Sequence, residues 1–247
     1  MNNIMEYKNI AVIGGAGFVG TSLSNRLRQS NYDHTIFDID QTNENTCFLD
    51  VEDPNTLKKL KDYDLIINLA AVHRDDVKPI SRYDDVNVMG AKNICHAARQ
   101  NNISTIIFTS SVAVYGFAPD NTDEGGSINY FNHYGRTKYL AEQYFKSWHA
   151  EDPDNRTLVI IRPTVIFGEG NRGNVFNLLK QIATKKFFMI GPGKNKKSMA
   201  YIENVSAFIE HSMVFDRGTH IYNYVDKLDF TMNELVLLVN KFLHKRN

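Results

Sequence analysis

The stretch "NIAVIGGAGFVG", residues 9–20, constrains the fold of this 247-residue chain more than any other. An apolar, β-branched run ends in glycines, and a helical pattern starts within the same few residues. A strand that runs into a glycine turn and then a helix opens a parallel, doubly wound unit. Gly14, Gly17 and Gly20 satisfy G-x-x-G-x-x-G, while Gly15, Gly17 and Gly20 satisfy G-x-G-x-x-G, so spacing alone does not choose between them. Glycines here let the backbone approach a pyrophosphate, whose charge rests on the free N–H groups of a helix N-terminus. No GK[ST] follows, which argues against a P-loop nucleotidase.

The rest of the chain continues the pattern. Short apolar runs at 9–15, 34–39, 64–71, 104–111 and 157–163 alternate with helical patterns at 18–30, 54–61, 79–101 and 132–150. Continuous apolar strands imply a sheet covered on both faces, and intervening helices imply parallel connections. The expected fold is α/β: a doubly wound, Rossmann-type parallel sheet. After Pro163 the loops "GEGNRGN" and "GPGKNKK" flank the helical "VFNLLKQIATKK". We expect residues 1–164 to form the dinucleotide domain, with 198–222 packed on it, and 165–197 and 223–247 to form a small substrate lobe.

Asp38 closes the second strand in "IFDID", eighteen residues after Gly20. A carboxylate there can accept hydrogen bonds from both ribose hydroxyls of an adenosine. A 2′-phosphate would instead meet Asp38, Asp40 and Glu44, with no nearby Arg or Lys, so the expected cofactor is NAD rather than NADP.

Composition narrows the class further. Basic and acidic residues balance at 28 each, so the chain has no overall electrostatic footprint for nucleic acid or an anionic membrane. No run reaches the ~18 apolar residues of a membrane span, and a cytoplasmic protein is expected. Cys47 and Cys95 form no CxxC pair; both are expected to be small buried hydrophobes. His73, Asp75 and Asp76 make a weak metal set, and no metal is expected.

"NHYGRTKYLAEQYF" (132–145) puts Tyr134 and Lys138 on one helical face. A free phenol, pKa ~10, is a poor base near neutrality, and an adjacent ammonium favours the phenolate. Ser111 ends the strand "TIIFTSS". Leu140, Tyr144 and Trp148 follow helical spacing and are expected to pack.

Together these blocks, with "CFLDVED", "NLAAVH", "VNVMGAKNI", "TSSVAVYG", "RPTVIFG" and "HIYNY" in order, resemble the extended short-chain dehydrogenase/reductases, the NAD-dependent epimerase/dehydratase family acting on nucleotide sugars. The resemblance implies that Gly14, Gly17, Phe18, Val19 and Asp38 hold the pyrophosphate and ribose of NAD. It assigns Asp50 and Val51 to the adenine, Leu69, Ala70 and Ala71 to the middle of the cofactor, and Asn87 to the active-site neighbourhood. Ser111, Tyr134 and Lys138 match the catalytic serine and Tyr-x-x-x-Lys. Asn174 and Tyr201 match substrate positions. It also implies possible homodimers through the helices at 79–101 and 132–150, and a longer substrate lobe than residues 223–247 supply.

The dehydratases of this family carry an Asp-Glu pair after the catalytic hydroxyl residue, and the decarboxylases a Glu. Here Val112 and Ala113 hold those positions and cannot move a proton, which disfavours both reactions. The expected activity is an NAD-dependent nucleotide-sugar (UDP-hexose type) 4-epimerase of surface polysaccharide biosynthesis. The alternatives are a 4-keto-sugar reductase or dehydrogenase, and a catalytically incompetent NAD-binding protein.

Overall fold

The computed structural model describes residues 7–74, 76–227 and 229–244. In chain order these carry β1 (Ile10–Ile13), α1 (Phe18–Gln29), β2 (His34–Asp38), β3 (Thr46–Phe48), β4 (Leu65–Asn68), the helical turn α2 (Ser81–Tyr83), α3 (Gly90–Gln100), β5 (Thr105–Thr109), α4 (His133–Ala150) and β6 (Thr157–Pro163). Then come β7 (Val165–Phe167), α5 (Asn174–Ala183), β8 (Lys196–Lys197), β9 (Met199–Tyr201), α6 (Ile202–Ser212), β10 (Gly218–Tyr224), β11 (Phe230–Thr231) and α7 (Met232–His244).

Seven strands form one parallel sheet in the order β10-β6-β5-β4-β1-β2-β3. Side chains alternate across a strand, so each apolar run feeds two cores. Ala11, Ile13, Ile66, Ile106, Phe108 and Ile160 face one side with α3 and α4, where Ile94, Ala98, Phe145 and Trp148 meet them. Ile10, Val12, Ile67, Ile107 and Ile161 face the other, against Leu23 and Leu27 of α1 and Val205 and Ile209 of α6. The strand order reverses between β1 and β4, and the crevice beyond the carboxyl ends there is where such sheets take ligands.

Several expectations shift. The runs at 9–15, 64–71 and 104–111 stop as strands at Ile13, Asn68 and Thr109, because the residues beyond bend away as loops over the sheet's ligand edge. The helix expected at 54–61 is a 3-10 helix, Thr56–Leu60. The one expected at 79–101 divides into α2, a π-helical stretch Asp84–Met89 and α3. Cys47 is exposed, because β3 is a three-residue strand at the sheet edge; Cys95 is buried. Trp148 is fully buried, whereas Tyr144 stays 37% exposed.

After β6 the chain makes two small sheets. β7 pairs with β9 in parallel, and β8 pairs with β11 antiparallel. Among the described residues no helix is long and apolar enough to cross a membrane. No group of three metal-ligating side chains occurs among them either; Asp75, weighed with His73 and Asp76, lies outside the described residues, as do positions 1–6, 228 and 245–247.

Candidate active site

The glycine loop is shaped by what lies behind it. Gly14 has φ +78, and a β-carbon there would lie 2.5 Å from the Ala70 amide nitrogen. The turn after β1 thus presses directly on Leu69 and Ala70 after β4. A β-carbon on Gly20 would lie 2.4 Å from the Gly15 α-carbon, so helix and loop touch backbone to backbone. Gly17 caps α1 without a side chain, and no acidic residue occupies the first turn. The first-turn N–H groups, including those of Phe18 and Val19, are therefore not taken by a side-chain cap and suit an anion.

Asp38 stands at the end of β2. Its Oδ2 accepts from the Ala16 amide at 3.0 Å and its Oδ1 from the Asp40 amide at 3.1 Å. The carboxylate is thereby tied to the glycine loop and remains partly exposed. Uncapped N-terminus, close-packed glycines and anchored strand-end acid together fit a dinucleotide.

The flanking positions divide. Asp50 is partly exposed and its Oδ1 accepts from the Glu52 amide at 2.9 Å, while Val51 is buried against Gly90. Leu69, Ala70 and Ala71 are partly exposed along the cleft edge. Asn87 spends its amide inside the protein: Oδ1 accepts from the Val72 amide at 2.8 Å, and Nδ2 donates to the Val72 carbonyl and the Thr137 hydroxyl, both at 3.0 Å. It pins the loop after β4 to α4.

Tyr134 lies in the first turn of α4, whose N-cap, Asn132, accepts from the Gly135 amide at 2.8 Å. A β-carbon at Gly135 would sit 2.4 Å from the Ala113 carbonyl oxygen. The residue after Tyr134 must be glycine for the helix to lie this close to the 3-10 turn Val112–Tyr115 that follows Ser111. That approach brings the Tyr134 end of α4 against the turn that opens at Ser111, whose Oγ accepts from the Ala113 amide at 3.1 Å.

Burial pushes the Tyr134 phenol up to about 12, with the nearby Ser111 hydroxyl working in the opposite direction. Burial also lowers the Lys138 ammonium to about 7, against the charge of Glu142, which raises it. The expected effect of Lys138 on the phenol is not among the causes of the Tyr134 shift. The ammonium instead sits 4.5 Å from the centre of the Phe108 ring and feels Glu142 one turn along.

Asn174 is exposed at the start of α5. Tyr201 ends β9, packs its ring 5.7 Å from Phe167 and donates its backbone N–H to Asp226 Oδ2 at 2.6 Å. Both stand apart from the serine, tyrosine and lysine, on the lobe after β6.

Sequence reasoning passed over Ser110 and Glu142; at Arg162 it registers only that the UDP-sugar epimerases this chain resembles carry asparagine there. Glu142 is fully buried, and Arg162 pairs with it through Nε at 2.8 Å and a terminal nitrogen at 2.6 Å. Burial alone would depress the guanidinium; the hydrogen bonds and charge of Glu142 and Tyr115 more than offset it and raise it. The signal was present: an Arg inside a strand with every position buried, and a Glu on the face of Lys138.

This fold and site define a Rossmann-type dinucleotide-dependent protein with a serine, a tyrosine and a lysine at the cleft. The model of the NAD dependent epimerase/dehydratase family matches residues 10–224, and the chain belongs to that family, with NAD as its cofactor. It is 48% identical over 245 residues to the N-acetyl-alpha-D-glucosaminyl-diphospho-ditrans,octacis-undecaprenol 4-epimerase of Escherichia coli O157:H7, covering 96% of this chain and 73% of that protein. It is 30% identical to a putative UDP-glucose 4-epimerase of Methanocaldococcus jannaschii, covering 92% of this chain and 79% of that one. Among solved structures, the UDP-N-acetylglucosamine 4-epimerase of Methanobrevibacter ruminantium M1 aligns with a TM-score of 0.82 at 25% identity, over 97% of this chain and 83% of that one.

Proposed function

We propose that the protein is an NAD-dependent 4-epimerase of a diphosphate-linked sugar, of the nucleotide-sugar type, serving surface polysaccharide synthesis. The observation that carries this reading is the packing of the Tyr134 end of α4, through Gly135, directly on the Ala113 carbonyl of the turn after Ser111, a turn whose Val112 and Ala113 offer no further acid or base. When bound, NAD takes a hydride from the sugar carbon and returns it. Tyr134 removes the proton of the sugar hydroxyl and gives it back, and Ser111 hydrogen-bonds the same oxygen. A phenol held near 12 needs a cation brought toward it to do this at neutral pH, and Lys138 shares its helical face. Gly14, Gly17, Phe18, Val19 and Asp38 hold the cofactor.

We assign residues 165–197 and 223–247 to the substrate lobe, with Asn174 on it and Tyr201, on the adjoining β9, facing the diphosphate end of the substrate. The second reading concerns the carrier: identity to the E. coli enzyme favours a polyprenyl-diphosphate-linked N-acetylhexosamine over a nucleotide sugar. We further propose a cytoplasmic homodimer through α3 and α4, on which Met89, just before α3, and Tyr144 are exposed.

The test is incubation with UDP-N-acetylglucosamine or its polyprenyl-diphosphate counterpart and NAD. Interconversion without net NADH change supports the epimerase. Stoichiometric NADH formation would make it a sugar dehydrogenase, the reverse of a keto-sugar reductase, and saturable NADH binding without turnover of either sugar would leave an NAD-binding protein.

A further inference from the structure

Ser110 and Ser111 are neighbours with opposite tasks. Ser111 opens the 3-10 turn against which the Tyr134 end of α4 packs. Ser110, 1% exposed, points through the sheet and donates to Glu142 Oε1 at 2.6 Å. Glu142 lies two turns beyond Tyr134 on α4, so this bond fastens the strand end that carries Ser111 to the helix that carries Tyr134 and Lys138.

The fastening extends further. Arg162 of β6 forks onto Glu142 and sends its remaining terminal nitrogen to the Tyr115 hydroxyl at 2.5 Å, at the far end of the 3-10 turn after Ser111. The Tyr115 hydroxyl donates in turn to Asn223 Oδ1 of β10 at 2.8 Å. Asn223 then holds the 116–131 loop, donating to the Thr122 carbonyl at 3.2 Å and, through its backbone N–H, to Glu124 at 2.6 Å. That loop borders a crevice of about 410 Å³ lined in part by Tyr115, Phe117, Asp123 and Asn129. Both ends of the Val112–Tyr115 turn are thus anchored to one buried ion pair.

We propose that Ser110, Glu142, Arg162 and Tyr115 form a positioning network that sets the distance between Ser111 and Tyr134. None of the four needs to touch the sugar for this. A fully buried charge pair is weak as a stabiliser, since desolvation consumes most of its attraction. It is directional, however, and every acceptor of the Glu142 carboxylate used here points at one of the elements that must be registered. This inference rests on the epimerase reading above.

The test is Ser110→Ala, which removes one hydroxyl and leaves the ion pair whole, combined with Ser111→Ala in a double-mutant cycle. The single Ser110 variant should lose roughly tenfold in kcat with KM for the sugar and NADH affinity within about twofold of the parent. In the Ser111→Ala background the same change should cost nothing further in kcat, because the group it positions is gone. Tyr115→Phe should behave likewise. Activity within twofold of the parent for Ser110→Ala, or a full additive loss in the double variant, overturns the inference. A crystal structure of Ser110→Ala reads the network without turnover: a Ser111 hydroxyl displaced from Tyr134 supports it, and an unmoved one overturns it. If the parent chain turns over no sugar, the epimerase reading falls and the crystallographic outcome still decides the network.

Discussion

Replacing Lys138 with Met should stabilise the protein at neutral pH while abolishing turnover. Lys138 is 2% exposed, and burial takes its ammonium from an ordinary 10.5 to about 7. Each tenfold change in proton affinity corresponds to about 1.4 kcal/mol, so this difference amounts to roughly 4–5 kcal/mol at pH values below both affinities. Methionine retains much of the stem but fits less well against Phe108, which leaves a net gain of about 2–4 kcal/mol near pH 7. Glu142 is not orphaned by the change, since Arg162 and Ser110 still satisfy it. Between pH 7 and 10.5 the unfolded chain binds this proton and the folded chain does not, so the parent's stability rises with pH across that window. Below it the slope vanishes. The variant has no such slope, so its advantage is greatest at pH 7 and lower and shrinks as pH approaches 10.5. Urea unfolding of both proteins at about pH 6.5, 8 and 9.5 measures the gap. A variant less stable than the parent at neutral pH, or a gap that does not change with pH, would refute the assignment of a desolvated lysine.

Tyr134→Phe should abolish epimerisation and leave NADH affinity within about threefold of the parent by fluorescence titration; a fully active variant removes Tyr134 from the chemistry. Gly14→Ala puts a β-carbon 2.5 Å from the Ala70 nitrogen at φ +78, and should eliminate measurable NADH binding and lower the unfolding midpoint. Asp38→Ala should weaken NADH binding by roughly tenfold or more while affecting NADPH less; an equal loss for both would dissociate Asp38 from the ribose. Asn132→Ala removes the cap of α4 and should cost about 1 kcal/mol in urea unfolding. Its kcat should fall more than its stability alone explains, because Tyr134 is in that first turn.

The parts of this molecule that could be read in one dimension are those whose cause is local. Four-residue buried strands such as β1 and β4 announce themselves as unbroken apolar runs, and the glycines of the first turn mark a close backbone approach before the partner, Ala70, is known. Tyr134 and Lys138 share a face by helical spacing alone. What escaped depends on partners distant in sequence. β3 is three residues long with Cys47 and Phe48 exposed, so no apolar pattern marks it. The π-helical stretch Asp84–Met89 interrupts a sequence that reads as one long helix. Asn87 looked like a cleft residue, but its hydrogen bonds to Val72 and Thr137 come from segments fifteen and fifty positions away. The Glu142–Arg162 pair is of the same kind: an Arg inside an apolar strand and a Glu on the face of Lys138 mark each residue as unusual, but only the sheet brings them together. A shared face fixes the direction of Lys138, while Phe108 and Glu142 decide where its ammonium rests.

β10 lies beside β6 in register from Gly218 opposite Thr157 to Tyr224 opposite Pro163. The chain therefore leaves the sheet at Pro163 and re-enters it at the adjacent edge; α6 packs back against α1 on the way, and the stretch before it is an excursion moored at both ends. Lengthening or reshaping residues 168–198 would leave the register of the sheet, the glycine loop and Tyr134 where they are. The wall this excursion supplies can thus be rebuilt without moving the cofactor half.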